Sequence, residues 1–190
     1  MNKYAQAVRL GLAFLAVALL SLVPAVASAR SVRDSEEFSG FLAQAKTEAL
    51  QLQKSAEEMN NFVHFTTNWK TEAAKISEIK QHVNKLGELV TKMNNVEAAA
   101  PWQRMAIGDV TPMVEELAAN VTMTIYHLGE NPDRLIFSSF PEYVAANAEM
   151  SADIAQVTSD YVAYREAEQK AEESSFELQR AAWARGNFER

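Results

Sequence analysis

Past residue 30, apolar side chains recur at alternating steps of three and four. The first run is Phe38, Leu42, Ala45, Ala49, Leu52, Ala56, Met59 and Val63. The second is Trp69, Glu72, Ile76, Ile79, Val83, Leu86, Val90 and Met93, and the third Ile107, Val110, Val114, Leu117, Val121, Thr124 and Leu128. A fourth reads Asn147, Met150, Ile154, Val157, Tyr161, Tyr164, Glu168 and Ala171. This is the spacing of one helix face, and no stretch alternates with the period of two that a strand requires. Breakers separate the runs: "HFTTN" at 64–68, "NNVEAAAP" at 94–101 and "GENPDRLIFSSFP" at 129–141.

The pattern predicts an all-α protein with helices over about 34–65, 68–96, 101–129 and 140–171. Sustained 3-4 spacing packs helices at shallow angles with coiled-coil-like interdigitation. Four of them joined by short connections give an antiparallel up-down-up-down bundle about 45 Å long. Pro101 suits a first turn, where its missing N–H costs nothing. Ser139-Phe140-Pro141-Glu142 reads as a capping box, and Gly129 as a left-handed helix end with Pro132 beyond it. Pro112 falls inside the third helix and should kink it, with Gly108 easing the bend. The last stretch, 172–190, exceeds what three partner helices can cover. Either the fourth helix runs on, or Ser174-Ser175-Phe176-Glu177 caps a short helix folded back on the bundle.

Residues 1–29 change the picture of where the protein works. Lys3 and Arg9 precede an uncharged apolar run from Leu10 to Val23, followed by Pro24 and Ala27-Ser28-Ala29. That is a secretory signal peptide of bacterial style with cleavage after Ala29, leaving a single mature domain over 30–190. The expected location is periplasmic or secreted, with no membrane span in the mature chain. The leader takes two of the 18 basic residues and none of the 25 acidic ones, moving the net charge from −7 to −9. So acidic a chain lacks the footprint that phosphate backbones require, which argues against nucleic acid. There is no cysteine. Disulfides, thiolate metal sites and covalent haem attachment are thereby excluded. The architecture is similar in shape to periplasmic four-helix cytochromes and sensor bundles, but the cytochrome c′ attachment motif is absent. Asn120-Val121-Thr122 matches a glycosylation sequon, which carries little weight in a bacterial setting.

One residue breaks the apolar rule. Glu72 holds a core position, and counting inward from one bundle end places it level with Met59, Thr124 and Asn147. A polar layer of this kind enforces register, or offers a ligand site whose carboxylate Thr124 and Asn147 can bond. His64 and His127 lie towards the same end but off the seam, which makes them weak candidates for a metal. Tyr161 and Tyr164 could line a cavity opened by the Pro112 kink, beside Met105 and Trp102. The sequence holds no phosphate loop, nucleophile triad or HExxH motif. The expectation is therefore a non-enzymatic adaptor or sensor-like protein without a cofactor. It would act through a protein partner or a homodimer, with Phe176, Trp183 and Phe188 as contact residues. The alternative is a carrier of a small ligand, non-covalent haem or a metal inside the bundle.

Overall fold

A computed structural model describes residues 36–188, apart from 66, 67, 98, 131, 133, 134, 136 and 137, with side chains as far as Arg185. The signal-peptide pattern lies outside the described residues. Four helices follow in order: α1 (Glu36–Phe62), α2 (Trp69–Asn94), α3 (Pro101–Glu130) and α4 (Phe140–Phe188). Each packs on its neighbours in sequence, and α4 returns to α1 to close the ring. The architecture is the all-α four-helix bundle that the apolar spacing predicts.

The eight apolar positions of the first run are all buried and form one wall of the core. Burial of apolar surface, at roughly 25 cal/mol per Å², is the main stabilising term in a chain without disulfides. The α4 seam keeps Asn147 and Ile154 buried as its sequence reading has them, but elsewhere it moves by one step: Ala148, Ser151, Ala155 and Thr158 are buried, while Met150 and Val157 are only partly so. The buried face of α1, which packs on α4, likewise carries the small residues Ala45, Ala49 and Ala56. Short side chains on both helices let α1 and α4 pack closely, and longer ones flank the seam. The hydroxyls this buries bond within their own helix: Ser151 donates to the Asn147 carbonyl at 2.6 Å and Thr158 to that of Ile154 at 2.8 Å.

Local chemistry sets the helix ends. The Asn68 side chain accepts from the Lys70 N–H at 3.1 Å, capping α2. At the start of α3 the buried Gln103 reaches back to accept from the Ala100 N–H at 2.9 Å, the N3 half of a capping box with Pro101 in the first turn. Before α4 the capping-box reading does not hold in detail: the Ser138 hydroxyl accepts the Phe140 N–H at 3.2 Å, and the Glu142 N–H donates to the Ser139 carbonyl at 3.1 Å. Gly129 is a second correction. α3 passes through it to Glu130 with no left-handed φ. Pro112 lies inside α3, where the sequence reading has it.

α4 runs 49 residues without a break, about 74 Å at 1.5 Å per residue. The alternative of a fold-back helix over 172–190 is not what the chain adopts. Ser174 and Ser175 do not cap a new helix; their hydroxyls donate to the Lys170 and Glu172 carbonyls, each at 2.8 Å, within the same one. Every residue from Ala171 to Arg185 is exposed.

Candidate functional site

At the end of the bundle where α1 meets α2 and α3 meets α4, Glu72, Thr124 and Asn147 are all buried, as is Met59. The polar layer exists, but its bonding differs from the sequence expectation. The Asn120 amide donates to Asn147 Oδ1 at 2.8 Å and to the Tyr143 carbonyl at 3.2 Å. Asn147 Nδ2 donates to Thr124 Oγ1 at 2.9 Å, and Thr124 donates back to the Asn120 carbonyl at 2.7 Å. The donors and acceptors thus close a loop between α3 and α4, each bond polarising the next. With both its amide hydrogens engaged, Asn120 is committed to this circuit.

Glu72 stands outside it. Its side chain is 1 % exposed, and Oε2 is buried with no hydrogen-bond partner. Burial raises its carboxyl above the ordinary range, and the Lys75 charge offsets this only in part. A carboxyl so placed favours its neutral form. Thr124 and Asn147 spend their hydrogen bonds on each other and on Asn120, which leaves Glu72 unserved.

A second polar group, which the sequence reading does not single out, joins α1 and α2 at mid-height. Glu48 is buried. Its Oε1 lies 2.6 Å from His82 Nδ1 and its Oε2 2.6 Å from Lys85 Nζ. Burial by itself would raise the Glu48 carboxyl; hydrogen bonds from Lys85 and His82 outweigh it and hold the group below its usual value. Glu78, 3.9 Å from His82 Nε2, accepts from the Ser55 hydroxyl at 3.0 Å. A hint was present in the sequence: Glu48 adjoins the α1 seam, and His82 and Lys85 stand three apart on the facing helix.

The tyrosines do not share a cavity. Tyr161 donates to Asp109 Oδ2 at 2.5 Å across α3 and α4. Tyr164, 50 % exposed, stacks obliquely on Trp102 at 5.9 Å, and Trp102 meets Phe38 edge-on at 5.6 Å. Met105 faces outward. The open groove beside Pro112 lies instead between α2 and α3, lined by Gly87, Val90, Thr91, Gly108 and Glu115 among others. His64 is exposed in the turn after α1, and His127 is half-buried against the Tyr143 ring at 5.4 Å. Among the described residues, no three His, Asp or Glu side chains gather as metal ligands would.

The remaining candidates lie on the projecting part of α4. Phe176, Leu178 and Trp183 are 67 %, 69 % and 73 % exposed. The Phe188 side chain lies outside the described residues. Among the described residues, no helix is long and apolar enough to cross a membrane. Compared with known protein families, curated protein sequences and solved structures, the chain finds no match.

Proposed function

We propose that this chain is an exported, non-enzymatic helical-bundle protein that acts through protein–protein contacts as an adaptor or sensor-like module. The projecting part of α4 is its contact surface. The observation that carries this reading is the exposure of Phe176, Leu178 and Trp183 on a helix that no other described element covers. Large aromatics are costly to leave in water, and Trp is the residue most enriched among interface hot spots. Export rests on the leader pattern at 1–29, and the non-enzymatic reading on the missing catalytic motifs.

Deletion of 172–190 tests it. A truncated chain that melts cooperatively near the full-length temperature, yet loses its partner or its dimer, supports the contact reading. A truncated chain that is unfolded makes the segment a structural cap and overturns it. The carrier alternative draws on the unpartnered Glu72 oxygen. It requires that haem or a divalent metal raise the melting temperature by mass action.

A further inference from the structure

Glu48 decides which nitrogen of His82 is free. Its buried carboxylate is held in the ionised form, with Lys85 Nζ 2.6 Å from Oε2, and an ionised carboxylate can only accept. His82 Nδ1, 2.6 Å from Oε1, therefore carries a hydrogen. In the neutral ring the lone pair is then on Nε2, on the side away from Glu48. Facing it at 3.9 Å is Glu78 Oε1, one helical turn earlier on α2.

Both groups are held from α1. Glu48 fixes the ring, and the half-buried Ser55, seven residues further along, donates to Glu78 Oε1 at 3.0 Å. An imidazole lone pair and a carboxylate thus converge with no hydrogen to share. At 3.9 Å they are too far apart for a hydrogen bond. Metal–nitrogen and metal–oxygen bonds of about 2.0–2.2 Å at a tetrahedral angle would set the two atoms about 3.4 Å apart. The approach needed is about half an ångström, and Glu78, whose side chain is 60 % exposed, can supply it.

We propose that His82 Nε2 and Glu78 bind a divalent transition-metal ion such as zinc on the α1–α2 face, with Glu48 and Ser55 orienting the two ligands. The site is independent of the α4 contact reading and of Glu72. A carboxylate behind a ligating histidine fixes its tautomer and raises its basicity. Glutamate and histidine four apart lie on one face of their helix. Gln51 and Glu58 line the same pocket, about 240 Å³ in volume, and offer further oxygens. Two cations oppose binding: Lys54, which lines the pocket 3.9 Å from Glu58, and Lys85 on the other oxygen of Glu48. Among the described residues no three His, Asp or Glu side chains gather, so water completes the coordination. Such a site is weak but selective, because an imidazole nitrogen suits zinc, copper and nickel rather than magnesium or calcium.

A long-range proton–nitrogen NMR titration of residues 30–190 with zinc chloride tests this, because the chain has only three histidines to resolve. The expected result is a saturable shift of His82 Nε2, with Nδ1 still protonated, at zinc concentrations that leave His64 and His127 unmoved. Glu78→Gln should weaken binding at least tenfold. Glu48→Gln should cost about 10–100-fold in affinity and release the His82 tautomer in metal-free spectra. Ser55→Ala should weaken binding too, and probes the orienting shell even where Glu48→Gln does not fold. Magnesium chloride should leave the ring unmoved. Binding through Nδ1, equal responses to magnesium and zinc, or an affinity unchanged in Glu78→Gln overturns the proposal. So does a His82 ring that stays silent up to millimolar zinc.

Discussion

The Tyr161 hydroxyl donates to Asp109 Oδ2 at 2.5 Å, tying α4 to α3 one turn beyond the last fully buried α4 residue, Thr158. Burial, then the Asp109 hydrogen bond and charge, push this phenol well above the ordinary tyrosine value. Because the folded state favours the neutral form, the stabilisation is complete below the unfolded pKa and is lost as pH rises through the folded one. Tyr161 should therefore ionise late in an ultraviolet titration, and Tyr161→Phe should remove the late step. The same substitution should cost about 1–2 kcal/mol in urea denaturation, the range for hydrogen bonds to charged groups lowered for partial exposure.

Glu72 should act on stability with a pH dependence of the same sign. Its raised folded pKa means that its contribution is most favourable below the unfolded value and is lost as pH climbs through the folded one. Glu72→Gln should abolish that dependence. Glu72→Leu should stabilise the protein near neutral pH by about 1–3 kcal/mol, since an unpaired buried carboxyl gives way to an apolar group. Thermal melts of both variants from mildly acidic to mildly alkaline pH provide the check. A Glu72→Leu variant less stable than wild type at every pH would show that the carboxyl contributes favourably where it is.

Glu48 should behave oppositely. Its pKa is held down, so its contribution is present above the unfolded value and is lost as pH falls through the folded one. Glu48→Gln should destabilise by about 2–3 kcal/mol at neutral pH, at or below the lower end for a broken buried ion pair because the Lys85 side chain is 62 % exposed. Chemical denaturation of Glu48→Gln, Lys85→Met and the double variant would give the coupling energy, expected to exceed 0.5 kcal/mol.

Gly87 stands inside α2 with nothing within 4 Å of where a Cβ would sit. Gly87→Ala should raise stability by about 0.5–1 kcal/mol through the reduced entropy of the unfolded chain. The midpoint of urea denaturation should rise with an unchanged slope.

Leu42, Leu52, Ile79 and Leu117 announce the bundle because large aliphatic residues at 3-4 spacing have one physical solution. The α4 seam is harder to read. Its buried line consists largely of Ala148, Ser151, Ala155 and Thr158, which a search for hydrophobic side chains passes over in favour of Met150 and Val157. Glu48 is missed for a related reason. Its burial depends on His82 and Lys85 arriving from another helix, and no periodicity within α1 encodes that. Glu72 was visible as an anomaly, but its missing partner was not. That required knowing how Asn120, Thr124 and Asn147 divide their hydrogen bonds. The run-on of α4 turned on whether Ser174 and Ser175 would cap or donate within the helix, a choice of rotamer that the letters leave open.

The unbroken course of α4 has a mechanical meaning. Between Thr158, packed in the core, and Trp183, out in solvent, there is no proline and no loop to absorb a bend. Anything gripping the tip is held at a fixed angle and distance from the bundle, as by a rigid strut. A torque applied there cannot be dissipated at a hinge; it reaches the close-packed alanines shared by α4 and α1.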